Sequence, residues 1–481
     1  MKRVLVGAMT SASLVLTACG GGGGSTPTPT PGPIATPGPT PSPTPAPTAT
    51  CSLRARQDWV LAQMREWYLF PETLPANLDP TPFTSVQAYL DALTATARAQ
   101  RRDRFFTFIT SIAEDNAFFN SGASAGFGIR LSYDTDARRL FVIEAFEGAP
   151  ALAAGIDRST EILAIGTSQN DLRNVSDIFA SGGAQAVSDA LGPSTAGTTR
   201  VLRITDAQGP RTVTVTKTEF SIPPVSSRYG AKIIDDGGRK VGYVNLRTFI
   251  NTAAPALRNA FASFRAQGIT EVIVDFRYNG GGLVSIAELM GDLLGGNRSS
   301  SEVFSFTTFR PEKASNNEQR NFNPQAQSIA STKIAFIGTG GTASASELVI
   351  NSFIPYLRAN AALVGTNTFG KPVGQIALDR AACDDRLRIV AFRTENAQHR
   401  GDYYDGLATE VEASCAAPDD FTRQLGDPQE GSTRGALDFL AGRSCARIST
   451  GISARGVREG QRELLTPERP TTAQREVPGL F

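Results

Sequence analysis

Three apolar runs, KVGYVNLRTF, EVIVDFRYNGGG and KIAFIGT, each bounded by turn residues, constrain this chain more than any other feature. Between the first two lies PALRNAFASFRAQG, apolar at helical spacing. Alternation of strand and helix predicts an α/β domain over residues 222–446, with much of its sheet covered on both faces. Chemistry is then expected on the loops that follow the strand ends.

The 481 residues are 41% hydrophobic and 19% charged, enough for a large core and more than one domain. Lys and Arg number 47 against 46 Asp and Glu, a net charge of +1, so no overall field favours nucleic acid or an anionic membrane. His399 is the only histidine, which rules out His clusters and with them most zinc sites. No cofactor or metal is called for.

Residues 1–19 begin with Lys2 and Arg3, continue in the apolar run VLVGAMTSASLVL and end in LTAC. That is the pattern of a lipoprotein signal, with Cys19 as the lipidation site and the lipid as the expected membrane anchor. Gly20 after Cys19, rather than Asp, leans the expected location toward the outer membrane of the cell envelope. Residues 20–50, rich in Gly, Pro and Thr, cannot bury a core and read as an extended tether.

Over residues 51–120, RQDWVLAQMREWYLF and FTSVQAYLDALTATARAQ carry apolar residues at helical spacing, which predicts a small helical domain. Residues 121–221 run strand, turn, strand, short helix, strand, and resemble a PDZ domain. GFGI, from Gly126 and Phe127 to Gly128 and Ile129, stands where such a domain receives a peptide's terminal carboxylate on backbone N–H groups. Exported Cys51, Cys383, Cys415 and Cys445 allow three pairings. Cys383 with Cys415, bracketing one excursion, and Cys51 with Cys445, stapling the ends, is the favoured set. Residues 447–481 contain no long apolar run and are expected to be a mobile tail.

In GTASASELVI, Ser346 precedes Glu347 and an apolar helix, so it falls at a helix N-terminus. Twenty-five residues on, Lys371 lies between the glycine-containing turns of GTNTFGKPVGQ. Serine needs a base to become a nucleophile, and a buried lysine can be that base. Bringing its pKa from about 10.4 to near neutrality corresponds to roughly 4 kcal/mol, within reach of desolvation.

GYVNLRTF, VDFRYNGGG, TASASE and TFGKPVGQ, in that order, resemble the carboxyl-terminal processing peptidases, serine peptidases with a PDZ domain and a Ser-Lys pair. The resemblance implies a mixed α/β fold whose core is a Ser-Lys protease. It makes Ser346 the nucleophile, Lys371 the general base and Gln375 the residue that orients the lysine. Backbone N–H groups of Glu347 and of the glycine turn, Gly281 first with Gly280 and Gly282 as alternatives, would form the oxyanion hole. Asp275 and Arg277 are expected to be a structural ion pair, Thr342 and Ser344 to satisfy nearby backbone groups, and His399 to be an exposed loop residue. Tyr278 stands where a small polar residue is often found, a difference that bears on substrate fit. Implied partners are protein or peptide substrates with accessible C-termini. The alternative is a non-catalytic relative that binds peptides or ligands as an envelope scaffold.

Overall fold

The computed structural model describes residues 49–449 and 462–481. The lipoprotein signal, Cys19 and nearly all of the tether lie outside the described residues.

A six-stranded sheet forms the centre, in the order Ala231–Asp236, Arg239–Asn245, Glu271–Asp275, Lys333–Gly338, Ala361–Gly365 and Ala413–Ala416. The first pair is an antiparallel hairpin, and every later pair is parallel. Alternate side chains of Glu271–Asp275 face opposite ways, as the period of two dictates. Val272 and Val274 pack with residues of the helices Ala253–Ala266, Val284–Leu294 and Ala345–Leu357. Ile273 packs with Ala436, Leu437 and Leu440 of the helix Gly431–Leu440. The sheet is thus apolar on both faces, and only its strand ends are left for polar chemistry.

Since they run in parallel, Glu271–Asp275, Lys333–Gly338 and Ala361–Gly365 deliver their following turns to one edge. Asp275 pairs with Ile337, and Gly338 with Gly365. RYNGGG, TGGTASAS and TNTFGK therefore converge, as expected at the carboxyl ends of an open parallel sheet.

The helices expected over residues 51–120 are present, and they share their core with the rest of the chain. Val60, Met64, Leu90 and Leu93 form one core with Leu387, Ile389 and Val390 of the strand Asp385–Glu395. The strand Phe108–Ser111 joins the same antiparallel sheet, with Phe108 opposite Arg388. Two short amphipathic helices bury too little by themselves and find their second layer in this sheet.

A third sheet contains Ile129–Asp134, Arg139–Ala145, Glu161–Gly166, Thr199–Thr205 and Arg211–Thr216, matching the expected β-rich unit. Residues 462–481 pack against it, which corrects the expectation of a mobile tail. The strand Arg462–Leu464 pairs with Ile129–Asp134, and Leu465, Val477 and Leu480 are buried. Isolated apolar side chains suffice for docking into a groove, so the lack of a long apolar run was a poor guide.

The disulfides also differ from the favoured pairing. Cys51 is bonded to Cys383 with Cα atoms 5.5 Å apart, and Cys415 to Cys445 at 5.4 Å. Cys51 opens the helix Leu53–Trp67, which lies against the sheet beside the turn Ala381–Cys383; there Arg380 Nη1 donates to Ala55 O at 2.6 Å. Cys415 lies in the last central strand, where Ala416 N donates to Ala446 O at 2.7 Å beside Cys445. Non-reducing peptide mapping should join the Cys51 peptide to Cys383 and the Cys415 peptide to Cys445; a Cys383–Cys415 link would contradict this fold. Breaking the Cys415–Cys445 bridge should cost about 3–4 kcal/mol by loop-closure entropy.

Candidate active site

The turn after Glu271–Asp275 stands on a buried ionic base. Arg277 meets Asp275 at 2.7 Å and Glu430 at 2.8 Å, and Tyr243 donates to Asp275 at 2.8 Å. Asp275 and Arg277 are thus structural. Tyr278, buried at φ +61°, donates its hydroxyl to Asp419. Asn279 donates to Leu246 O at 2.7 Å, and its Oδ1 accepts the Gly281 N–H at 2.9 Å. Gly281 is therefore engaged within its own turn, whereas the Gly280 N–H reaches the carbonyl of Glu476 at 3.1 Å.

The second turn is stitched to the first. Thr342 Oγ1 donates to Phe276 O at 2.8 Å, and Ala343 N donates to Asn279 O at 3.0 Å. Ser344 then adopts φ +56° and ψ −116°, a conformation that costs a non-glycine residue about 1–3 kcal/mol. A Cβ placed on Gly281, at φ +116°, would lie 2.7 Å from Ser344 Cβ, so only glycine lets the two turns approach this closely.

The two serines have different surroundings. Ser346 is 0% exposed and donates its hydroxyl to Asn279 O at 3.2 Å. Ser344 lines a cavity of about 100 Å³ together with Lys371, Gln375, Gly282, Arg388 and Glu476. Ser346 is not among the residues of that wall. The structure brings Lys371 and Gln375 together, with Nζ donating to Oε1 at 3.1 Å, but it is Ser344 that shares their cavity.

Burial pushes the Lys371 pKa below its ordinary value; Glu476 and Asp103 oppose this, and Arg388 and Arg475 reinforce it. Gln375 is itself held by Phe106 O, and the lysine Nζ lies 5.1 Å from the Phe106 ring centre. Arg104 donates to Phe369 O at 2.8 Å, fastening the loop before Lys371. These N-terminal residues were missed by sequence reasoning, which assigned RRDRFFTF to a separate domain.

Glu347 links the TASASE and TFGK segments through its carboxylate. That group accepts from Ser344 N at 3.0 Å, Thr368 Oγ1 at 2.6 Å, and Gly370 N and Lys371 N at 2.7 Å each. Desolvation raises its pKa, countered by these four donors. His399 stacks on Phe306 with ring centres 4.2 Å apart and lines neither cavity bordered by Lys371.

GFGI forms a tight turn against Ala149. An added Cβ on Gly128, at φ +72°, would lie 1.9 Å from Ala149 Cβ. The N–H groups of Gly128 and Ile129 both donate to the backbone oxygen of Phe481, at 2.9 and 3.2 Å. A larger cavity of about 1430 Å³ runs past Lys371, Gly280, Tyr278, Leu464 and Phe421.

A serine at positive φ at a helix head, a desolvated lysine and a glycine turn thus meet at the parallel strand ends. Residues 240–401 match peptidase family S41, and residues 55–108 match the peptidase S41 N-terminal domain. It is similar to a carboxyl-terminal-processing protease of Picosynechococcus sp. strain PCC 7002, 28% identical over 255 residues. That match covers 52% of this chain and 55% of the relative, little more than half its length. A carboxyl-terminal-processing protease of Synechocystis sp. strain PCC 6803 is 24% identical over 335 residues, 67% of this chain and 70% of the relative. The fold matches a crystal structure assigned to the S41 proteases, from Bacteroides fragilis, with a TM-score of 0.61 and 23% identity over 80% of this chain and 97% of that one.

Replacing Glu347 by Ala strands several buried donors, each costing about 1–3 kcal/mol. The variant should lose at least about 3 kcal/mol in urea unfolding. A loss below about 1 kcal/mol would mean that the carboxylate does not anchor the two loops.

Proposed function

We propose that this chain is a serine endopeptidase with Ser344 as nucleophile and Lys371 as general base, cutting protein chains near their C-termini. The choice of serine rests on one observation: Ser344 shares a cavity with Lys371, whereas the Ser346 hydroxyl is spent on Asn279 O. This reading moves the nucleophile two residues from the position that motif spacing favours.

Neutral Lys371 takes the Ser344 proton as Oγ attacks the substrate carbonyl carbon. Gln375, fixed from behind by Phe106, aims the amine. The developing oxyanion meets the Gly280 N–H and the N–H of Ala345, which as the first helical residue has no intrahelical acceptor. The peptide C–N bond breaks, Lys371 returns its proton to the leaving amine, and water then hydrolyses the acyl-serine. The oxyanion donors are thus read one residue earlier than Gly281 and two earlier than Glu347.

Substrate capture is assigned to the PDZ-like unit. GFGI presents two N–H groups to a chain-end oxygen, and the adjoining strand edge can add an extended peptide. LTAC at Cys19 and the proline-rich tether support an envelope protease anchored by lipid.

Ser344→Ala should reduce casein hydrolysis on the order of a thousandfold or more, while Ser346→Ala, losing one hydrogen bond, keeps most of the activity. The reverse result would return the nucleophile to Ser346. Inactivity of both, with wild type equally inactive, would favour the non-catalytic peptide binder.

Lys371→Arg should be as inactive as Ser344→Ala yet folded, because a guanidinium does not give up its proton. Wild-type activity should rise with pH as the ammonium loses its proton. Because burial lowers that pKa, the rise should be complete below the ordinary lysine value of 10.5. Near wild-type turnover by Lys371→Arg would exclude Lys371 as the base.

A further inference from the structure

The strand edge beside GFGI and the cavity beside Lys371 are both met by the last described residues of this chain. Phe481 N donates to Ile129 O at 2.9 Å, Leu131 N donates to Gly479 O at 2.8 Å, and Arg130 pairs antiparallel with Leu480. With the two N–H groups of the GFGI turn on Phe481 O, residues 479–481 add to the edge of Ile129–Asp134 as an extended ligand would. Phe481 is 2% exposed within the core of the β-rich unit. Gly479 sits at φ +85°, and a Cβ there would lie 3.0 Å from both Arg130 Cγ and Leu131 O. The groove thus takes glycine followed by two apolar residues, the last aromatic.

Five residues upstream the same segment enters the reactive cavity. The carbonyl of Glu476 accepts from Gly280, the donor assigned above to the oxyanion, and Glu476 lines the cavity with Ser344 and Lys371. The residues Thr472–Glu476 are helical, with reciprocal capping by Thr471 and Gln474. A helical turn does not offer its peptide bonds as an extended strand does, so the segment fills the site without presenting a bond in the extended form.

We propose that residues 472–481 are a resident intramolecular ligand of the chain's own substrate channel, spanning GFGI groove and reactive cavity and excluding other chains until one ending in a similar glycine-apolar-aromatic sequence displaces them. The catalytic consequence rests on the reading of Ser344 and Lys371 above; the occupancy rests on the contacts alone. Glu476 adds an electrostatic effect, since its carboxylate beside Lys371 favours the ammonium form that cannot accept a proton. A tethered ligand competes at an effective concentration that free substrate must exceed.

The test uses a chain truncated after Arg469 and a fluorescein-labelled peptide of residues 470–481, PTTAQREVPGLF. The truncated chain should bind the peptide at least tenfold more tightly than the full chain, by fluorescence anisotropy. It should also hydrolyse casein at least fivefold faster, and unlabelled peptide should reverse the gain. Equal binding by both chains, or measurable casein turnover that truncation leaves unchanged, would overturn the proposal. If the truncated chain shows no cooperative melt, Phe481→Asp in the full chain replaces it, with the same increases expected and the same null results overturning. Absence of hydrolysis in every variant, with the binding difference intact, would count against the catalytic reading and still support the occupancy.

Discussion

Glu347 is the point on which the site's construction turns. Its buried carboxylate accepts a hydrogen bond from the backbone of Ser344 and from three donors in the loop that ends at Lys371. Both motifs sit at the ends of parallel strands, so the sheet brings them to one edge, but only to within the tolerance of two independent loops. A single carboxylate with four donors removes that freedom. It also helps explain how Ser344 keeps its positive φ: the surrounding bonds over-determine it.

The helices and strands were legible where burial is uniform. VIV, IAFI and AALV are buried at every position, and a run that is apolar throughout reads the same in sequence as in the sheet. The convergence of RYNGGG, TASASE and FGK follows from that topology, whereas the pairing of Lys371 with Gln375 was implied by the family resemblance alone. Which serine faces the lysine was not. Ser344 and Ser346 flank the first turn of one helix, and a difference in backbone dihedral, invisible to residue counting, puts one in the cavity and the other against Asn279.

Other features were illegible because they depend on distant partners. The cysteine pairs are set by which elements lie across one another: the first helix against the strand Asp385–Glu395, and the chain beyond Gly431–Leu440 against the last central strand. Phe106 and Arg104 belong to the site because their segment borrows a layer from the protease core, a dependence that local periodicity does not record. In the same way, residues 462–481 look unstructured in composition and gain order only from the groove that receives them.

Arg130 gives the two halves of the channel a mechanical connection. It is fully buried, its Nε donates to Glu144, and its Nη1 donates both to the carbonyl of Pro478 and to that of Tyr278, at 2.7 Å each. One guanidinium nitrogen is thus shared between the segment that ends at Phe481 and the turn that carries Gly280 and Gly281. Where two sites share a group, any preference one ligand imposes on the other is returned in equal measure. If filling the groove strengthens what binds at the turn, then binding at the turn must strengthen what fills the groove by the same factor, with Arg130 as the group they share.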